Sequence, residues 1–269
     1  MINLINKLQE NGFAYQKNGS VYFDISKKKD FGKLSGFNET EMLKAAKNFE
    51  EDIENPDKKH PLDITLWRAS TKDQPSHIPS FESPFSKGRP GWHIECSAMA
   101  MRYLGEQIDI HGGGRDLTFS HHESERAQSE SLTGKAPFAR AWMHTGMVRY
   151  EGRKMSKSLG NLVTVSQALA RAPAAAVRLY LVSHRYARDW DFDWAGLSRY
   201  ARLIERTRAV LKKPAGQASP ALIKEFKAAL ADDLDTPRAV RTLRMAVRGR
   251  DAAAARLMLS ILVGTASLT

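Results

Sequence analysis

Gly91-Trp92-His93-Ile94-Glu95-Cys96, Ile108-Asp109-Ile110-His111-Gly112-Gly113-Gly114-Arg115-Asp116 and His121-His122-Glu123-Ser124-Glu125 follow one another within a short span of the chain. They contain the only cysteine and four of the eight histidines. Cysteine, histidine and glutamate are side chains that zinc takes as ligands. On a helix, His121 and Glu125 lie four positions apart and share a face. Cys96 comes from an earlier element, 25 positions before His121. Three protein ligands leave one corner of a tetrahedral ion open, and an open zinc site takes a substrate thiolate directly. The plainer alternative is that a lone cysteine is a small buried hydrophobe and that paired histidines are surface or capping residues. Spacing alone leaves both readings open.

Working outward, Gly91 to Leu104 reads as a helix with Ile94, Ala98, Met101 and Leu104 facing a core. Ile108-Asp109-Ile110 reads as a strand ending in three glycines, which let backbone approach a ligand closely. Residues 119–132 read as a helix with His121 in its first turn, and Ala141 to Tyr150 contains a strand turned by Glu151-Gly152. Upstream, residues 1–12 form a short amphipathic helix. Asn18-Gly19 between Phe13-Ala14-Tyr15 and Val21-Tyr22-Phe23 is a hairpin signal. Residues 40–50 read as a helix opened by Thr40. Residues 51–60 read as a linker, and Ser70 to Pro90 as a long loop.

Downstream, Lys154-Met155-Ser156-Lys157-Ser158-Leu159-Gly160-Asn161 is a basic loop, whose lysines suit charge building on a transferring phosphate. Residues 166–183 read as one or two helices, and His184 to Trp194 as a connector. Apolar stripes then recur at helical spacing up to Val263. Thr236-Pro237 serves as a start signal, with Thr as cap and Pro at the first helical position.

The chain has 269 residues, enough for two domains. Its apolar content of 42% and charged content of 26% are globular values. No apolar run reaches the 18 or so residues of a membrane span, so no membrane partner is expected. The start, Met1-Ile2-Asn3-Leu4-Ile5-Asn6-Lys7, does not read as a secretory signal. A single cysteine fits a reducing, cytoplasmic setting. A net charge of +11 favours a polyanionic partner.

Four motifs together carry a family resemblance. Gly88-Arg89-Pro90-Gly91-Trp92-His93-Ile94-Glu95-Cys96-Ser97-Ala98-Met99 resembles cysteinyl-tRNA synthetase closely. So do Asp109-Ile110-His111-Gly112-Gly113-Gly114, His121-His122-Glu123-Ser124-Glu125 and Lys154-Met155-Ser156-Lys157-Ser158, in the same order. The similarity runs from about residue 1 to about residue 250. It implies an α/β fold: the second half of a Rossmann-like class I synthetase catalytic domain with a connective insertion, followed by an α-helical bundle. The expected division is 1–88 for the insertion-like region, 89–190 for the catalytic half with its Lys-Met-Ser-Lys-Ser loop, and 191–269 for the bundle.

The resemblance also implies site roles. Cys96, His121 and Glu125 become zinc ligands, and Trp92 and His111 line a cysteine pocket. Gly113, Gly114 and Asp116 meet the adenosine of ATP, and Lys154 and Lys157 hold its phosphates. The implied reaction activates cysteine with ATP and Mg2+ to cysteinyl-adenylate, then passes the acyl group to tRNA(Cys). A hydroxyl is a poor zinc ligand beside a thiolate, so metal coordination separates cysteine from serine where size cannot.

Family members begin with a further half-domain that carries a His-Ile-Gly-His type motif and a fourth, cysteine, zinc ligand. This chain enters the pattern after it, so a separate N-terminal half-domain is an expected partner. Two alternatives stay open. The cysteine ligase of mycothiol biosynthesis, with an aminosugar acceptor, shares the scaffold; His144-Thr145-Gly146-Met147-Val148 and Arg188-Asp189-Trp190-Asp191-Phe192 lean that way. A non-catalytic zinc- and tRNA-binding remnant is the other. The expectation for the chain alone is weak or absent adenylate formation. Cysteine-dependent pyrophosphate exchange on the purified chain measures it, and robust exchange without an added partner contradicts it.

Overall fold

The computed structural model describes residues 1–49, 51–156, 159–214 and 216–265. The chain divides into two compact units, Met1–His144 and Thr145–Thr269.

The first unit opens with α1 (Ile2–Glu10), which buries Ile5 and Leu8. A hairpin follows, β1 (Ala14–Lys17) and β2 (Ser20–Phe23), paired Ala14 to Phe23 through Lys17 to Ser20. Its two-residue turn has φ of 47° at Asn18 and 80° at Gly19. Positive φ at both central residues is what a tight hairpin needs and what Asn-Gly tolerates. Next come α2 (Glu39–Asn48), β3 (Ile64–Ala69) and β4 (Gly88–Pro90). The four strands form one antiparallel sheet in sequence order. α2 starts on Asn38 rather than Thr40: Asn38 accepts from Glu41 N and Glu41 reaches back, closing a capping box. Residues 51–60 are not a free linker. Asn55 donates to the Tyr22 hydroxyl, Asp57 accepts from Asn18, and Lys59 N donates to the Tyr15 hydroxyl.

The site-bearing elements follow: α3 (Trp92–Leu104), β5 (Ile108–Gly114), α4 (His121–Thr133) and β6 (Ala139–Thr145), with β5 beside β6. Of the four apolar residues expected inward on α3, Ile94 is fully buried and Met101 packs partly buried against the core, while His93 and Ser97 join the buried row. Leu104 is 65% exposed in the last turn, where the chain leaves the helix at Gly105.

α4 is the surprise. His121-His122-Glu123-Ser124-Glu125-Arg126-Ala127-Gln128-Ser129-Glu130-Ser131 is polar almost throughout, yet every one of these residues is buried. Burying such a helix requires each charge to be paired. Arg126 supplies most of that pairing. It donates to Glu123 (3.0 and 2.8 Å), Glu130 (3.0 Å) and Asp30 (2.8 Å). Lys28 closes the network, 2.8 Å from both Asp30 and Glu130. The second oxygen of Glu123 accepts from Leu34 N and Ser35 N. Although burial works against ionisation, Arg126 and Lys28 hold the Asp30 carboxyl down to about 2.

The second unit holds a three-stranded sheet in the order β8, β7, β9, with β7 (Val148–Tyr150), β8 (Arg153–Lys154) and β9 (Trp190–Phe192). β7 turns into β8 through Glu151 and Gly152. β9 lies parallel to β7 and is reached across α5 (Val165–Leu169) and α6 (Ala174–Leu181). Parallel pairing requires such a crossover. The expected connector from His184 to Trp194 therefore contains a strand, too short for its alternation to show.

Four helices complete the unit: α7 (Trp194–Leu211), α8 (Pro220–Ala231), α9 (Thr236–Arg248) and α10 (Ala252–Val263). Ile204, Phe226, Leu243, Met258 and Leu259 meet in their core. Asp193, Ser219, Asp235 and Asp251 cap them with side-chain oxygens. Asp235, one residue before the expected Thr236, caps α9 because a carboxylate is the better acceptor for the exposed N–H of Arg238.

Replacing Arg126 by Met leaves Glu123 buried without its cation and Glu130 with Lys28 alone. We expect a loss of about 3–5 kcal/mol in urea unfolding at neutral pH. A loss below about 1 kcal/mol would show that the network does not hold α4 in place.

Candidate metal centre

α3 and α4 pack side by side, and their facing sides bring the predicted ligands together. One donor atom each from Cys96, His121 and Glu125 lies within 4.8 Å of the others. His121 and Glu125 share a face of α4, with Nε2 and Oε2 3.7 Å apart. Cys96 comes from α3, as the spacing anticipated.

Glu125 sits at the middle of this cluster, 1% exposed. Its Oε2 lies 3.0 Å from His111 Nε2 and 4.0 Å from His122 Nε2. Its Oε1 has no hydrogen-bond partner. Among the described residues it is the one buried carboxylate oxygen so left. Such an atom beside a thiol and imidazoles suits a cation. His111, His122 and Glu125 form a second, overlapping donor set within the same 4.8 Å limit.

The proton states fit metal binding. Burial pushes His121 down to about 4 even though Glu125 pulls the other way, so its ring is neutral at physiological pH and carries a lone pair. Burial, together with the neighbouring His111 and His144, pushes His122 down to about 3. Burial and the charges of Glu125 and Glu95 push the Cys96 thiol up, so a cation binding there displaces a proton. A sulfur, a nitrogen and an oxygen donor together form a zinc-type set.

Aromatic rings wall the cluster. Trp92 stacks on His121, with centroids 4.2 Å apart at 22°. His111 packs 4.9 Å from Trp142, and His122 bonds His144 (Nδ1 to Nε2, 2.7 Å). The glycine run has a packing reason of its own. A side chain at Gly113 would meet the His122 ring at 2.8 Å, and one at Gly114 would strike the Asp116 carboxylate. These two glycines make room for neighbours in the protein itself.

The other expected residues sit as follows. Asp116 lies in the helical turn Arg115–Thr118 that joins β5 to α4. Lys154 belongs to the second unit and ends β8 with its side chain exposed. Asn161 ties the loop beyond it, accepting from Ser156 N (2.9 Å) and donating to Lys154 O (3.1 Å). Lys157 lies outside the described residues.

Sequence reasoning missed His93 and Glu51. His93, buried on α3, bonds His121 (Nδ1 to Nδ1, 2.8 Å) and Glu51 (Nε2 to Oε1, 2.8 Å). Burial disfavours the Glu51 carboxylate, but His93, Ser120 and Lys58 outweigh it and hold its pKa below the usual value. Glu51 lies 42 positions from His93 in a stretch without helix or strand, so no local pattern pointed to it.

Residues 1–201 match the family described as the catalytic domain of class I (C) tRNA synthetases. Individual relatives carry two different names. The L-cysteine:1D-myo-inositol 2-amino-2-deoxy-alpha-D-glucopyranoside ligase of Thermomonospora curvata is 44% identical over 244 residues, 90% of this chain and 58% of that protein. The cysteine--tRNA ligase of Gluconobacter oxydans is 42% identical over 275 residues, 100% of this chain and 59% of that protein. That of Parvibaculum lavamentivorans is 43% identical, covering 90% of this chain and 51% of that protein. The chain thus spans between half and three-fifths of the length of these relatives. The solved ternary complex of Agrobacterium radiobacter K84 agnB2 LeuRS with tRNA and LeuAMS shares the fold. Its TM-score is 0.55 at 17% identity, over 70% of this chain and 33% of that one. With the fold, the motif order and the match over residues 1–201 in agreement, this chain belongs to the class I (C) tRNA synthetase catalytic-domain family.

Proposed function

We propose that this chain is the thiol-recognising portion of a cysteine–tRNA ligase that acts in the cytoplasm. One observation carries the reading. A lone cysteine, a neutral imidazole and a buried carboxylate, drawn from two helices, place their donor atoms within 4.8 Å. Zinc held by Cys96, His121 and Glu125 would supply a soft Lewis acid that prefers a thiolate to a hydroxyl.

The remaining roles follow from position and chemistry. Trp92 and His111 flank the ligands and shape a pocket for cysteine. Gly113, Gly114 and Asp116 meet the adenosine of ATP. Lys154 and Lys157 neutralise phosphate charge while the cysteine carboxylate displaces pyrophosphate. Such chemistry asks for positioning and charge stabilisation rather than proton transfer by side chains. In the proposed division, residues 1–88 are insertion-like, 89–190 catalytic and 191–269 a helical bundle. The part of such a ligase that lies beyond these residues would complete the ATP site and the zinc coordination.

Charge distribution favours tRNA as the acyl acceptor. Residues 145–269 contain 22 Lys and Arg against 10 Asp and Glu, a net +12, whereas residues 1–144 are nearly neutral with 19 against 20. Arg199, Arg202 and Arg206 recur on an exposed face of α7. Arg241, Arg244 and Arg248 do so on α9. An aminosugar carries no phosphates and needs no such surface, and a phosphate backbone does. The second reading, an aminosugar-directed cysteine ligase, is favoured by the Thermomonospora curvata relative, which is as similar as the tRNA ligases.

Two measurements test these assignments. After reconstitution and desalting, the chain should retain one zinc by elemental analysis, and Cys96→Ser or Glu125→Ala should lose most of it. Absence of metal from the unaltered chain, or full retention by both variants, contradicts the ligand set. Binding to tRNA should weaken steeply with salt. Arg241→Ala and Arg244→Ala should each reduce the log–log salt slope by about 1. Consumption of a glucosaminyl-inositol with cysteine and ATP, without salt-sensitive tRNA binding, would instead select the second reading.

A further inference from the structure

The contacts of His93 do more than fill space between α3 and α4. His93 Nδ1 and His121 Nδ1 are 2.8 Å apart. Two ring nitrogens at that distance share one proton, so one donates and the other accepts. On the far side, His93 Nε2 lies 2.8 Å from Glu51 Oε1. An ionised carboxylate only accepts, so the proton there belongs to His93 Nε2. With a single ring proton, held at Nε2 against Glu51, the His93 ring has a bare Nδ1. His121 must then donate from its own Nδ1, which leaves its Nε2 without a proton. That Nε2 is the nitrogen 3.7 Å from Glu125 Oε2, on the side of the proposed cation.

Glu51 is itself fixed. Ser120, immediately before α4, donates to the same Oε1 at 2.8 Å. His93 is 4% exposed and lies one turn before Cys96 on α3. Trp92 stacks on the outer face of the His121 ring and limits its rotation. Glu51, His93 and His121 are thus linked by hydrogen bonds, with Ser120 and Trp92 packed against the two ends.

We propose that Glu51 and His93 are positioning residues for the metal. Through Glu51, then His93, then His121, they set the His121 tautomer and ring angle so that a bare Nε2 faces the cation. This inference rests on the proposed ligand set, and it adds two residues that touch neither metal nor substrate. Partners of this kind, hydrogen-bonded to the distal nitrogen of a metal-bound histidine, typically contribute 10–100-fold to metal affinity.

The test compares zinc affinities of the chain by competition with a chromophoric chelator. Glu51→Ala and His93→Phe should each bind zinc about 10–100-fold more weakly at unchanged stoichiometry. Glu51→Gln should recover most of the loss, because its amide oxygen still accepts from His93 Nε2. Nitrogen–proton correlation spectra of the zinc-free chain should show His121 protonated at Nδ1, a preference lost in Glu51→Ala. Should Glu51→Ala not fold, His93→Phe keeps the ring and carries the comparison. Wild-type affinity in both variants, or a His121 ring protonated at Nε2 in the unaltered chain, overturns the inference. If the unaltered chain binds no zinc, the ligand set fails, and the spectra still decide the proton arrangement.

Discussion

A guanidinium buried against three carboxylates is the constraint on which the first unit depends. α4 carries His121, His122 and Glu125, and it is too polar to be buried by hydrophobic transfer alone. Arg126, bound to Glu123, Glu130 and Asp30, converts an unfavourable helix into a fixed one. The arrangement explains why residues 28–35 lie against α4 although they form no strand. Lys28 and Asp30 extend the charge network, and the Leu34 and Ser35 amides complete Glu123. A buried ion cluster adds little net stability over an apolar core. Its value here is placement, since Glu123, Arg126 and Glu130 tie down the helix that carries His121 and Glu125.

That fixed face meets α3, which contributes Cys96 and His93 one turn apart. The two helices divide the work between them. α4 presents an imidazole and a carboxylate in i, i+4 relation, and α3 presents a thiol together with His93, which bonds that imidazole. Burial keeps the histidines uncharged, and uncharged imidazole is the form that binds a cation. The paired charges of this helix and the unpartnered Glu125 oxygen on it serve different ends. The charges that hold the helix are paired, and the oxygen facing the site is not. The second unit follows another logic, an apolar core of capped helices with its positive charge turned outward.

Much of this was legible in advance where the signal is local. Asn18-Gly19 dictates a tight turn because few other pairs accept two positive φ values. The i, i+4 spacing of His121 and Glu125 dictates a shared face on any helix. Helix caps were legible to within a residue or two. Asn38 and Asp235 displaced Thr40 and Thr236 because they are the stronger acceptors. What failed was long-range or too short to carry a period. β9 has three residues, and its parallel partner lies some forty positions earlier. Burial of α4 could not be read from its composition, which is that of an exposed helix.

The chain of residues by itself determined the candidate donor types, the motif order and therefore the family, since these depend on identity and spacing along a line. It also determined which stretches become helices and where tight turns fall. Only the tertiary structure decided that Cys96 meets His121 and Glu125, that Glu51 reaches His93, and that a polar helix is the buried one. Those outcomes depend on which charges find partners across the fold, and pairing through space leaves no mark on neighbouring positions in sequence.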